Sequence, residues 1–302
     1  MKKLFNIIVI FIIVSTGYTQ QQSMYGQYMF NMLNVNPAYA GSRNVGNFNT
    51  LVRRQWLDIN GSPSTGSFSY DEKLTDRNVS IGGQMYYDNI YTQKRAGVQG
   101  YYAYAADMGS STLSLGMSFG LMNYNANYSR TNPFELGDPL IQQVISAFLP
   151  TAGVGAFWSG EHWYVGLSTP NLFKAYKAEM NDASVSFAGK SGHYYLTGGY
   201  VFPISDAVVA KPSIMLKSVS GAPLQYDFNM NIWLNDILGL GVSYRTGDAV
   251  LGILELQVNT QLRVGYAYEQ KIKVVNTSAH ELMMRYEFGG LLSKKVLSPR
   301  YY

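Results

Sequence analysis

Three histidines, His162, His193 and His280, are the first residues to weigh for chemistry, and their spacing argues against it. They lie far apart at the starts of strand-like runs, without the H-x3-H or HExxH pattern that brings two imidazoles to one metal. His280-Glu281 is the most suggestive pair, but consecutive residues on a strand point to opposite faces. No G-x-S-x-G elbow stands at a strand-to-helix turn, where it would expose a nucleophilic serine. The chain has no cysteine, which excludes a disulfide framework and a lipid-bearing N-terminal cysteine. The expectation is a non-enzyme, without catalytic, cofactor-binding or metal-ligating residues.

A different polar set falls into register. Arg53, Lys211, Lys217, Arg245 and Arg263, with Asp227, Glu255, Glu281 and Glu287, recur opposite the apolar positions of strand-like runs. Mixed signs on one face pair across a narrow interior rather than line a pore selective for one ion. The elements that must hold them are β-strands. Leu113, Leu115, Met117, Phe119 and Leu121 alternate with Thr112, Ser114, Gly116, Ser118 and Gly120. Tyr226, Phe228, Met230, Ile232 and Leu234 alternate with Asp227, Asn229, Asn231, Trp233 and Asn235. Residues 262–269 and 281–288 repeat the pattern. Further runs lie near 46–56, 64–71, 78–88, 96–107, 152–158, 162–168, 193–202, 207–218, 237–245 and 248–258. Most of these fourteen runs approach the roughly 9–11 residues of a tilted membrane strand.

Charged residues make up 14% of the chain, against about 25% in soluble domains, while aromatics also reach 14%, with 25 Tyr and 30 Gly. Beyond the N-terminus no apolar run approaches the about 20 residues of a helical span. Together these features predict an all-β fold, a transmembrane antiparallel β-barrel of about 14 strands; a soluble β-sandwich is the alternative. Connection lengths favour the barrel. Residues 107–110, 159–161, 203–206 and 235–236 are tight turns at one end, whereas the long connections 123–151 and 169–192 fall at the other. Within 123–151, the apolar residues Leu140, Ile141, Val144, Ile145 and Phe148 predict a short amphipathic helix over 139–148. Trp56, Trp163, Tyr86, Tyr87, Tyr101, Tyr102 and Tyr104 suit girdles at the membrane interfaces.

Lys2-Lys3, the mainly apolar run 4–14 and the small and polar residues after it read as a secretory signal peptide over 1–19. Its removal lowers the net charge from +4 to +2, which makes no case for nucleic-acid binding. A plug-like periplasmic leader over 20–45, the barrel over 46–288 and a periplasmic tail over 289–302 complete the organisation. In the leader, Asn36 precedes Pro37 and is pushed to an extended conformation.

Tyr28-Met29-Phe30-Asn31, Asn36-Pro37-Ala38-Tyr39-Ala40-Gly41 and Arg54-Gln55-Trp56 resemble the PorP/SprF family. The likeness continues in order through Thr169-Pro170-Asn171-Leu172-Phe173, Lys211-Pro212-Ser213, Tyr244-Arg245-Thr246-Gly247-Asp248 and the closing Ser298-Pro299-Arg300-Tyr301-Tyr302. It implies an outer-membrane barrel of the type IX secretion and gliding systems of Bacteroidetes-type bacteria, and it does not imply catalysis. The partners it implies are lipid, a secreted adhesin-like surface protein and periplasmic components of the secretion machine. Tyr25, Tyr28, Phe30 and Tyr39 in the leader, with Lys294, Lys295, Arg300 and Tyr302 in the tail, are then candidates for a docking surface. The alternative function is an outer-membrane transport barrel for a small apolar or polar solute.

Overall fold

The computed structural model describes residues 24–57, 59, 61–74, 78–127, 144–172, 174–180, 183–189, 192–219, 222–272 and 277–288. Three single-turn 3-10 helices, Tyr28–Phe30, Met32–Asn34 and Pro37–Tyr39, precede the strands. The strands are β1 (Gly46–Gln55), β2 (Ser64–Lys73), β3 (Val79–Ile90), β4 (Gln93–Asp107), β5 (Ser111–Asn127), β6 (Val144–Gly160) and β7 (Trp163–Thr169). They continue as β8 (Lys174–Met180), β9 (Ala183–Gly189), β10 (His193–Tyr200), β11 (Phe202–Ser205) and β12 (Val208–Val219). The last five are β13 (Gln225–Leu234), β14 (Leu238–Arg245), β15 (Ala249–Gln257), β16 (Leu262–Lys271) and β17 (Ser278–Phe288).

Each barrel strand pairs antiparallel with its neighbours, and two further pairings close the sheet. β1 meets β17 from Gly46↔Phe288 to Gln55↔Ala279, and β10 meets β12 from His193↔Val219 to Gly199↔Ser213. The result is a closed barrel of 14 strands. β11 continues β10 beyond Val201, whose N–H bonds the carbonyl of His162, and pairs with the start of β12. β8 and β9 form a separate hairpin within the long connection after β7. Closure satisfies the backbone groups that hydrocarbon would leave unpaired.

The faces are inverted relative to a soluble protein. On β13, Asp227, Asn229, Asn231 and Trp233 are buried while Phe228, Met230 and Ile232 are exposed. Leu115, Phe119 and Leu282 are 56%, 63% and 62% exposed on the outer wall. Apolar residues facing out around a polar interior are the signature of a membrane barrel. Of the rings expected in the girdles, those of Tyr87, Tyr102 and Tyr104 face outward, whereas Tyr101 is buried inside and Tyr86 lies on the same inward face of β3 as Gln84 and Asp88. Adjacent tyrosines on a strand must diverge.

The long connection after β5 differs from expectation. β5 runs to Asn127 and β6 starts at Val144, paired through Asn127↔Val144 and Asn123↔Phe148. Residues 144–148 are therefore strand rather than helix. Ala147 and Leu149 are buried while Phe148 is exposed, a period of two that cross-strand pairing enforces. Residues 139–143 of the expected helix lie outside the described residues.

The leader fills the barrel interior. Met29, Met32, Leu33, Ala38 and Tyr39 are no more than 1% exposed. Asn36 is extended (φ −134°, ψ 113°), and its Oδ1 accepts the Ala38 N–H at 3.0 Å, capping the turn that Pro37 begins. Two glycines on the inner wall make room for it. A Cβ at Gly116 would lie 2.3 Å from the Ala38 nitrogen, and one at Gly155 would lie 2.1 Å from Asn36 Oδ1.

Candidate functional site

Because successive strand residues alternate faces, the inward positions of β1 and β12–β17 gather charge inside the barrel. Arg53 Nη2 lies 2.8 Å from Glu269 Oε1, and Arg53 Nη1 lies 2.7 Å from Glu281 Oε1. Arg245 meets Asp227 at 3.1 Å, Glu269 at 3.4 Å and Asp248 at 3.5 Å. Lys271 joins Asp248 to Glu269, at 2.6 and 3.2 Å. Toward the other end, Arg43 Nη2 lies 2.5 Å from Glu287, which Arg285 also approaches at 3.5 Å. Arg263 faces Glu255 at 3.5 Å, and Glu255 also accepts the Trp233 indole N–H at 3.0 Å. Lys211, fully buried, stands over the rings of Tyr164 (5.6 Å) and Trp233 (6.0 Å). Lys217 borders a cavity of about 230 Å³ together with Arg53, Arg245 and Lys271.

These charges also hold the leader. Glu281 accepts the backbone N–H groups of Gly26 (2.7 Å) and Gln27 (3.0 Å), so one carboxylate grips two successive amides. Arg53 donates to the Met24 carbonyl at 2.9 Å and Arg285 to that of Phe30 at 3.1 Å. Asp71 accepts from the Gly41 N–H at 2.8 Å and from Asn47 at 3.0 Å. Neutral contacts add to the attachment: Asn36 donates to the Ala156 carbonyl (2.9 Å), Ser168 to that of Val35 (2.8 Å), and Asn229 to Tyr28 Oη (2.8 Å).

The leader is the floor of a second cavity, of about 120 Å³, near the long-connection end of the barrel. Tyr25, Tyr28, Tyr86, Gln84, Asp88 and Arg95 are among its walls. Asp88 accepts from Thr65 at 2.8 Å, and the Arg95 guanidinium lies 5.8 Å from the Tyr124 ring centre.

All nine expected interior charges face inward; ion pairs through Glu269 link Arg53, Glu281, Arg245 and Asp227, while toward the other end Glu287 pairs with Arg43 and Arg285, and Glu255 with Arg263. Asp248, Glu269, Lys271, Arg285, Arg43 and Asp71 complete the networks and were not singled out from the sequence. Parity could have found Glu269 and Arg285, since they share a face with Arg263 and Glu281. Arg43 precedes β1 and has no periodic signal. The docking role expected for Tyr25, Tyr28, Phe30 and Tyr39 is corrected: all four rings are buried against the inner wall and present no surface to a partner. Lys294, Lys295, Arg300 and Tyr302 lie outside the described residues. Among the described residues, no group of three or more His, Cys, Asp or Glu is arranged to hold a metal. The one G-x-S-x-G pattern, Gly116–Gly120, lies wholly within β5, with Ser118 accepting from Gln99 at 2.9 Å.

A family model described as "Type IX secretion system membrane protein PorP/SprF" matches residues 18–286. No curated protein is a significant match. Among solved structures, the Acinetobacter baumannii outer membrane protein Omp33 is similar, with a TM-score of 0.50 at 10% identity over 81% of this chain and 98% of that one. The CymD monoaromatic hydrocarbon channel is similar at a TM-score of 0.51 and 10% identity, over 88% of this chain and 94% of that one. At such identity these structures speak for the barrel fold alone.

Proposed function

Since this chain belongs to the PorP/SprF family of type IX secretion system membrane proteins and is an outer-membrane β-barrel, we propose that it acts without catalysis, supporting the secretion or surface attachment of a partner protein such as a gliding adhesin. The observation that carries this reading is the filled interior. A leader held by Glu281, Arg53, Arg285 and Asp71 occupies the space a solute would need. Such a barrel serves as a rigid membrane platform, with its long connections outward and its tail, 289–302, offered to periplasmic components of the machine. The competing reading, a transport barrel, draws on the cavity at the long-connection end and requires the leader to move.

Two measurements test the proposal together. In planar bilayers the wild-type barrel should give no large, steady single-channel current; such a current would favour transport. In cells, removing the protein should leave the surface partner inside or released, with other outer-membrane proteins unaffected. Normal surface display without it would sink the proposal.

A further inference from the structure

The outer wall carries little charge, and where its cations stand is specific. Among the described residues, the outward-facing cations of the barrel strands are Arg54 and Lys94, both exposed and each one residue from a strand end at the long-connection rim. They share one register row. Arg54 pairs with Ser64, Ser64 with Asn89 and Asn89 with Lys94, while on its other side Arg54 pairs with His280. The row is polar throughout, and the pairs two residues below it, Val52↔Leu282 and Gly66↔Tyr87, begin the apolar band. Tyr266 Oη lies 2.7 Å from His280 Nδ1; a phenol donating there leaves the ring proton on Nε2, available to a second acceptor. Trp56 and Tyr91, exposed at the same rim, mark the level of the lipid headgroups.

Below the row, on the same strands, the outer wall is grooved. Gly83 of β3 and Gly100 of β4 stand opposite each other and put no side chain into the membrane. Phe68, Met85, Val98, Phe119 and Leu121 rise around them along an open groove of about 630 Å³. The gap is set by residue choice and not by crowding. The nearest atom to a Cβ at Gly83 would be 4.0 Å away, and at Gly100 it would be 3.8 Å away. From Asn89 to Gly83 is about 20 Å along the strand, the reach of a long acyl chain. Lys94 and Arg54 are three strand spacings apart, about 14 Å, comparable to the two ends of a disaccharide headgroup.

We propose that this rim and groove form a binding site for a phosphorylated glycolipid of the outer leaflet, with phosphates on Arg54 with His280 and on Lys94, and one acyl chain over Gly83 and Gly100. The charge is complementary, the donors are at headgroup depth, and the apolar channel leads away from them into the bilayer.

The test is native mass spectrometry of the purified full barrel with bisphosphorylated lipid A, the same lipid stripped of phosphate, phosphatidylglycerol and inorganic phosphate. The expected result is retention of lipid A, with affinity lower by about tenfold or more for the dephosphorylated lipid and for the double variant Arg54→Gln, Lys94→Gln. Arg54→Lys should retain binding, and Gly100→Leu, whose Cβ would meet nothing closer than the Phe119 carbonyl at 3.8 Å, should lose it while the barrel stays heat-modifiable. Equal binding by the double variant or by Gly100→Leu would overturn the site. Equal retention of phosphatidylglycerol would reduce it to general anion attraction, and full competition by inorganic phosphate would leave an ion site only; either result refutes a glycolipid.

Discussion

Arg53 and Glu281 stand opposite one another on β1 and β17, with 2.7 Å between guanidinium and carboxylate, at the seam where the first and last strands close the barrel. The same carboxylate receives the amides of Gly26 and Gln27, so seam and leader share one anchor. Removing one partner of a buried, hydrogen-bonded pair costs about 3–5 kcal/mol. Glu281→Ala should therefore lower the heat-modification temperature strongly, and Glu281→Gln, which keeps an acceptor, should lower it less. Equal, small effects would show that the pair contributes little to closure.

Leader seating should be separable from barrel stability. Gly116 faces the leader, and a larger residue there meets the Ala38 backbone. Gly116→Leu is expected to leave the barrel assembled, displace residues around Pro37 and raise conductance in planar bilayers. A heat-stable variant with wild-type conductance would place the seal elsewhere.

The lipid-facing assignment of β5 predicts an asymmetry between adjacent residues. Leu115 is exposed on the outer wall, and Ser114 is buried within. Leu115→Arg, in the same row as Tyr104, should cost less than the about 2–4 kcal/mol of a midplane site but more than a change at its neighbour. Ser114→Asn, confined to the polar interior, should be milder. Quantitative heat-modifiable migration of outer-membrane fractions measures both.

On the side chains of the leader, Tyr28→Phe should cost about 1 kcal/mol, since it removes the acceptor of Asn229 without opening a cavity. A thermal midpoint indistinguishable from wild type would mean that this bond forms only loosely.

Docking through the tail predicts a different phenotype. Deleting residues 293–302 should leave a correctly assembled barrel whose secreted partner no longer reaches the surface. Full surface display by the truncated barrel would rule out an essential role for the tail.

The strands were legible because lipid and lumen impose opposite demands on alternate residues, so Phe228 against Asp227, or Leu115 against Ser114, carries an unambiguous phase. The inward charges followed from the same parity. What parity could not supply was the interior's content. The rings of Tyr25, Tyr28, Phe30 and Tyr39 lie on a segment without a period, and their types fit a buried plug and an exposed docking patch equally well. Only the facing wall decides, through Gly116, Gly155 and the acceptors Glu281 and Asp71. The extension of β5 and β6 was hidden for a related reason: the spacing of Val144, Ile145 and Phe148 fits a helix until pairing with residues 123–127 imposes a period of two.

The leader's attachments also constrain the order of assembly. It is bonded to β6 through Asn36 and Ala156, to β13 through Tyr28 and Asn229, and to β17 through Gly26 and Glu281. The last of these strands is the last to be synthesised, and it is also the one that zips against β1. The Glu281 bonds to the leader amides and to Arg53 across the seam can form only once that strand is in place. Zipping the last strand therefore completes two tasks with one side chain, closing the wall and securing the start of the leader.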